Sequence, residues 1–400
     1  MINEIQNKVL IIKEPIPILL KHKYHKKSQF LFKTDLYLQL YHKMKLVRDS
    51  FLTNEVTDTK YQIVYGFDLD WTLIKPKSNR KFWGNNDETI FWHPSVPVKL
   101  NELHKNGIGI VLFTNQLSIT KRTGSKEIFM KKIEWFLKQF DFPIKVYASI
   151  HEDAFRKPSK LLWTYFAKND NTIKLDKSQC MYIGDAAGRK NDFSAGDRKF
   201  ALNIGINFQT PEEFFLGQPG QPYSNTTGFN PFEYTPPRNI TLKPSDSQEL
   251  IIMVGSPASG KSTCAKENFP NYEYVNQDIL KTKPRCIKAC EIGLATGKSV
   301  VIDNTNPLKE VRAEYIKIAK RHNVPVRCLY LQRSDDLIDH LNILRNHLGY
   351  RAKIPGIAMR MFRTKLEEPK KEEGFEDVIE VPFIPVFENA IHKKMYMQIY

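Results

Sequence analysis

The stretch GSPASGKST, Gly255 to Thr263, constrains this chain more than any other, because it fits G-x-x-x-x-G-K-[ST] and directly follows the apolar run ELIIMVG. An apolar run of that length suits a buried strand, and a glycine-rich turn leading into a lysine and a hydroxyl suits a phosphate-binding loop that opens a helix. Glycines let backbone N–H groups approach phosphate oxygens, and the helix N-terminus adds partial positive charge. On this reading Gly255, Ser256, Pro257, Ala258, Ser259 and Gly260 form the cradle and Lys261 reaches the β- and γ-phosphates. Ser262 is then a Mg²⁺ ligand and Thr263 completes the motif. A nucleoside triphosphate is the expected ligand.

Binding alone does not separate a kinase from a motor. A kinase must accept the proton of an incoming hydroxyl, and YVNQDILKT places Asp278 shortly after the loop helix, on an expected strand-to-helix turn. VVIDNTNP adds Asp303 and Asn304 at another strand end, and LRNHLGYR adds Arg345 and Arg351 in a basic stretch able to cover phosphates. An isolated aspartate at such a turn is more often a helix cap, and a basic helix is more often a solvated face. Their coincidence around one loop favours phosphoryl transfer.

Upstream, GQPGQPYSNTTGFNPFEYTPPRNITLKPSDS (217–247) has the Gly, Pro, Ser and Asn density of a linker, which divides the chain into two folding units. The expected segments are an extension over 1–58, an α/β unit over 59–216, the linker, and a second α/β unit over 248–400. In the first unit QIVYGFD, IGIVLFTN and QCMYIGD read as strands, with helices over VPVKLNELHKNG and SKEIFMKKIEWFLKQF between them. Ligands of open α/β sheets bind beyond the carboxyl ends of the strands, so Asp68, Thr114 and Asp185 are candidates for one pocket.

Carboxylates are costly to bury, and the pair in YGFDLDWTLI asks for compensation. Asp68 can attack phosphorus and give an aspartyl-phosphate. Asp70 can then protonate the leaving oxygen and later deprotonate water. Two anions facing a phosphate need cations. Asp185 in YIGDAAGRKNDFS completes an all-oxygen Mg²⁺ site with Asp68 and the backbone carbonyl of Asp70, while Lys157 in FRKPSK neutralises phosphoryl oxygens. Thr114 and Asn115 in FTNQ offer a hydroxyl and an amide to the same oxygens.

DLDWT, FTNQ, RKP and GDAAGR resemble the four motifs of the haloacid dehalogenase superfamily, specifically the phosphatase half of the bifunctional polynucleotide kinase/phosphatases. YVNQDIL, VVIDNTNP, LNILRNH and EGFEDVIEVPF resemble the kinase half in the same order. The resemblance covers about residues 61–386. It implies a haloacid dehalogenase-like Rossmannoid sheet followed by a P-loop kinase parallel sheet. It makes Asp68 the nucleophile, Asp70 the general acid/base, Thr114 and Lys157 phosphate ligands, and Asp185 a Mg²⁺ ligand supported by Asp192. It makes Asp278 the activator of a 5′-hydroxyl and Arg345 a lid arginine at the phosphates of ATP. Two positions depart from the family: Trp71 stands where glycine is usual, and Gln277 where arginine is common. With 58 residues before the first unit, no forkhead-associated domain is expected.

Composition bears on the choice of substrate. Lys and Arg number 60 against 44 Asp and Glu, a formal charge of +16, which favours a polyanionic partner over small acidic metabolites. The five cysteines show no C-x-x-C spacing, so neither a zinc site nor a disulfide framework is indicated. The start, MINEIQNKVLIIKEPIPILLKHKYHKK, is interrupted by charge and proline before it reaches spanning length. The segment LYLQLYHKMKLVRDSFL has roughly helical apolar spacing with basic residues between.

The expected protein is an intracellular, nuclear monomer. It removes 3′-phosphates from DNA ends and phosphorylates 5′-hydroxyl ends from ATP, beside other strand-break repair proteins and away from membranes. The alternatives are an RNA end-healing kinase/phosphatase and a bifunctional metabolite kinase/phosphatase.

Overall fold

The computed structural model describes residues 44–55, 60–81, 83–84, 87–223, 228–238 and 240–400. The strands of the first half are β1 (Met44–Val47), β2 (Phe51–Asn54), β3 (Val64–Phe67), β4 (Ile74–Pro76), β5 (Thr89–Phe91), β6 (Gly109–Asn115), β7 (Lys145–Ser149), β8 (Met181–Ile183) and β9 (Asn207–Gln209). Seven of them form one sheet in the order β1-β2-β7-β6-β3-β8-β9, and β4 and β5 make a separate hairpin. From β7 to β9 the sheet is parallel.

Parallel strands are covered on both faces and so read as unbroken apolar runs. In β6, Ile110 and Leu112 join Phe67, Ile133 and Phe136 on one side, while Val111 and Phe113 join Tyr147, Trp163 and Phe166 on the other. The run ends at Thr114 and Asn115, where the strand meets the site. Helix α1 (Ser125–Leu137) buries Phe129, Ile133, Phe136 and Leu137, with Lys132 in the same stripe. Helix α2 (Gly196–Ile204) follows β8.

The helical reading of 36–52 is corrected where the residues are described; 36–43 lie outside them. Residues 44–54 form the antiparallel pair β1–β2, which extends the sheet at β7, so the sheet begins upstream of the boundary set at residue 59. Arg48 and Asp49, at φ 52° and 51°, turn the hairpin. The strands are four residues each, too short for apolar spacing to separate period 2 from period 3.6.

The second half carries β10 (Leu250–Gly255), β11 (Glu273–Val275), β12 (Val300–Ile302), β13 (Val326–Leu331) and β14 (Asp377–Glu380) in one parallel sheet, ordered β11-β12-β10-β13-β14. Leu250, Ile252 and Val254 pack to one side of the central strand, Ile251 and Met253 to the other. The helices used below are α3 (Lys261–Asn268), α4 (Gln277–Leu280), α5 (Asp335–His347) and α6 (Ala390–Tyr396). A fully buried guanidinium, Arg312, is tolerated because Glu373 accepts from it at 2.7 and 2.6 Å and the carbonyls of Asn306 and Pro307 accept at 3.1 and 3.0 Å. Between the halves, the described residues of 217–247 contain no helix or strand, and Phe229 packs on Tyr234, His340 and Tyr396.

Candidate active sites

Asp68 leaves β3, Thr114 and Asn115 end β6, and Asp185 follows β8, so three neighbouring strands deliver their polar ends to one edge. The Lys157 ammonium donates to Asp68 at 2.6 Å, to Asp197 at 2.7 Å and to the Tyr182 hydroxyl at 2.8 Å. Asp68, Asp185 and Asp197 each place a carboxylate oxygen within 4.8 Å of the others. Asp197 comes from the first turn of α2, and Gly184 lets it in: a Cβ there would lie 2.4 Å from the Asp197 carboxyl carbon.

The electrostatics follow from burial. Desolvation pushes the Asp68 carboxyl up to about 7, Lys157 opposes it, and Asp197 and Asp70 reinforce it. Desolvation pushes Asp185 up to about 8, with Asp197 and Asp68 adding to the effect. For Lys157, burial acts against the charge, but Asp197 and Asp68 outweigh it and the ammonium is held above its ordinary value. A cluster this short of positive charge, offering only hard oxygen donors, fits a divalent cation such as Mg²⁺.

Asp70 faces a different set of groups. Lys132 reaches its two oxygens at 2.6 and 2.7 Å, Gln116 donates at 2.7 Å and the Trp83 indole N–H at 3.0 Å. Gln116 also donates to the Thr114 hydroxyl at 2.9 Å, joining Thr114 to Asp70. The Asp70 carboxylate therefore stands apart from the three-carboxylate cluster.

Asn115 and Asp192 act on the loops that carry Lys157 and Asp185. The side chain of Asn115 clamps the backbone of Lys157, donating to its carbonyl at 3.1 Å and accepting from its N–H at 3.0 Å, so it positions the lysine loop. Asp192 accepts from the backbone of Ala187 and Arg189 and from the Arg189 guanidinium, each at 3.0 Å, while Arg189 also donates to the Asp185 carbonyl at 3.2 Å. It braces the Asp185 loop, and Asp197 is the third carboxylate of the cluster. Thr72 accepts from the Asp185 N–H at 3.1 Å, which accounts for the threonine of the first motif.

Lys132 and Asp197 were missed at the level of sequence. A lysine three residues after Phe129 and four before Phe136 lies on a core-facing stripe, and a buried lysine is rarely without a partner; that signal was readable. Nothing local marked Asp197.

Trp71 has φ 62°, in the left-handed region, and its indole N–H donates to the Lys81 carbonyl at 3.2 Å. A bulky residue there costs about 1–2 kcal/mol that glycine avoids. Trp71→Gly is therefore expected to melt higher than Trp71→Ala, because both lose the indole bond and only glycine relieves the backbone. Thermal unfolding of the pair checks this; an alanine variant as stable as the glycine one would contradict it.

In the second half the cradle lies between β10 and α3, with Ala258 at φ 64° and Gly260 at φ 95° giving the loop its left-handed turns. Lys261 donates to the carbonyls of Gly255 and Ser256 at 2.9 and 2.8 Å, while Ser262 and Thr263 occupy the first helical turn. Burial pulls the Lys261 ammonium down to about 8, against the attraction of Asp303 and Asp278. Asp303 is buried at the end of β12, accepting from the Tyr274 hydroxyl and, at 3.2 Å, from the Asn276 amide.

Asn304 accepts from the Gln277 N–H at 2.8 Å and Asn276 caps α4 by accepting from the Asp278 N–H at 2.8 Å, so Asp278 is not the cap itself. Its carboxylate is 77% exposed, 3.3 Å from Arg351. Burial and then Arg351 lower the Arg345 guanidinium, and Asp278 opposes them, which places Arg345 in the same field. Lys261, Asp303, Asp278, Arg345 and Arg351 thus converge at one sheet edge.

The two halves define a class: a haloacid dehalogenase-like phosphatase domain followed by a P-loop kinase domain. Residues 63–215 match the family described as polynucleotide kinase 3 phosphatase, and residues 250–369 match an AAA domain family. Over 82% of this chain and 84% of the relative, it is 43% identical to a bifunctional polynucleotide phosphatase/kinase of Schizosaccharomyces pombe. A putative bifunctional polynucleotide phosphatase/kinase of Acanthamoeba polyphaga mimivirus is 36% identical over 80% of this chain and 84% of its own. A polynucleotide 3′-phosphatase of Arabidopsis thaliana is 34% identical over 38% of this chain and 24% of its own. The chain belongs to the bifunctional polynucleotide phosphatase/kinases.

Proposed function

We propose that this enzyme prepares broken DNA strands for joining, hydrolysing 3′-phosphates at the first site and transferring the γ-phosphate of ATP to 5′-hydroxyls at the second. The observation that carries the reading is the 2.6 Å contact of Asp68 with Lys157 at one sheet edge, on the same chain as a phosphate loop facing Asp278.

At the first site an Asp68 oxygen bonds to phosphorus while the bond to the 3′-oxygen breaks, and Asp70 supplies that oxygen's proton. Water then attacks the aspartyl-phosphate, giving its proton to Asp70 and releasing inorganic phosphate with Asp68 regenerated. Lys157 and Thr114 hold the phosphoryl oxygens. Asp68, Asp185 and Asp197 would hold Mg²⁺, which supplies positive charge against the phosphate when bound. At the second site Asp278 accepts the 5′-hydroxyl proton as its oxygen bonds to the γ-phosphorus and ADP leaves, with Lys261 and Arg345 stabilising the transferring charge and Ser262 offering a Mg²⁺ ligand.

Lys132 belongs in this scheme as the cation that balances Asp70. Lys132→Met is expected to lower phosphatase kcat about 10–100-fold with a smaller change in KM, and to shift its pH profile. A variant with wild-type turnover and pH profile would remove Lys132 from the mechanism.

The function is tested with end-labelled oligonucleotides, DNA against RNA, with and without ATP and Mg²⁺. DNA 3′-phosphates should be removed in Mg²⁺ without ATP, and 5′-hydroxyls phosphorylated only with it. A preference for RNA would move the enzyme to RNA end-healing, and activity confined to small phosphate esters would overturn the proposal. The +16 charge supports a polyanionic substrate whose binding weakens steeply with salt. Among the described residues no helix is long and apolar enough to cross a membrane. A nuclear site of action beside repair proteins follows from the proposed substrate, and imaging of the tagged chain tests it.

A further inference from the structure

The loop that carries Lys157 is held from two directions. On one side Asn115 clamps the Lys157 backbone. On the other, Lys160 bonds to a residue more than 200 positions away in sequence, and Pro158 is tied to the same segment through Asn203. The Asn203 amide donates to the Pro158 carbonyl at 2.9 Å and to the Ile399 carbonyl at 2.9 Å, and its oxygen accepts from the Ile399 N–H at 2.8 Å. The Gln398 side-chain oxygen accepts from the Lys160 N–H at 3.0 Å. Asn203 lies on α2, the helix whose first turn supplies Asp197, the other partner of Lys157.

The segment belongs to the kinase half by sequence and packs on it: Tyr396 and Tyr400 lie against His340 on α5, and Tyr400 also lies against His347. Gln398 is 1% exposed. An ordinary surface tail would leave its amide in water; this one is buried against the backbone of the lysine loop.

The geometry points to Gln398 and Asn203 as positioning residues of the 3′-phosphatase reaction, so that a segment of the kinase half completes the phosphatase site by fixing the Lys157 loop. The inference rests on the proposed phosphatase activity. The lysine must meet Asp68 and a phosphoryl oxygen together, and small misplacements of such groups are expensive in rate. The contacts involve Lys160 and Pro158 backbone atoms, so their effect reaches the phosphate only through the loop.

The test uses the full chain with Gln398→Ala, Asn203→Ala and Gln398→Glu. Glutamate keeps an oxygen that can accept from the Lys160 N–H and gives up only the amide N–H directed at the Tyr400 hydroxyl, so recovery isolates the contact with Lys160. Both alanine variants should lower phosphatase kcat about tenfold with KM within twofold, leave 5′-kinase turnover unchanged, and Gln398→Glu should recover most of the loss. Unchanged phosphatase kcat in the alanine variants would overturn the inference. So would an equal fall of both activities with a lowered Tm and no recovery in Gln398→Glu, because that is the signature of a merely structural contact. Failure of the function itself is read separately, as a wild-type chain that does not act on 3′-phosphate ends.

Discussion

Asp68→Asn will remove 3′-phosphatase activity, by about 10⁴-fold or more (about 5.4 kcal/mol of barrier), and leave 5′-kinase activity within twofold of wild type. The amide cannot form the phosphoenzyme, and the neighbouring Asp70 is held by Lys132, Gln116 and Trp83. The loss will not be a folding defect. Burial pushes the Asp68 carboxyl from an ordinary 3.8 up to about 7, so the native state favours the extra proton and the charged carboxyl costs stability as pH rises through that window. In the presence of a chelator at pH 8, the asparagine variant should therefore melt no lower than wild type. End-labelled 3′-phosphate release, kinase turnover and a melting curve on one preparation give the three readings. Parallel loss of both activities would show that the two sites are not independent.

Lys261→Ala will do the reverse, lowering kinase kcat/KM about 10²–10³-fold (about 3–4 kcal/mol) and sparing the phosphatase. Lys261 is the buried cation of the loop, and its ammonium is pulled down to about 8. Bound phosphate favours the charged form, so ATP binding to wild type near pH 8 should take up protons, and affinity should fall as pH rises beyond that value. Calorimetry in buffers of differing ionisation enthalpy measures the uptake. The alanine variant should show less uptake; equal uptake in both would assign the titration to another group.

Much of this arrangement was legible because phosphate chemistry is written in short local patterns. A strand, a tight turn and a helix that are consecutive in sequence carry Gly255 to Thr263, and Asp68, Thr114 and Asp185 each sit where an apolar run ends. The β1–β2 hairpin was misread because four-residue strands carry too few positions to fix a period. Trp71 was visible as a departure, but its meaning came from a φ of 62°.

By itself the sequence determined that two α/β units follow one another, and the residues whose neighbours along the chain define their role, since strand period and turn chemistry act over a few residues. Tertiary structure alone decided which groups face one another across long separations. It put Asp197 with Lys157, Lys132 with Asp70, and Gln398 behind the lysine loop, and it showed how Asn115 and Asp192 brace the loops of Lys157 and Asp185. A side chain's chemistry is fixed by its type, whereas its partner is fixed by how helices and strands distant in sequence pack.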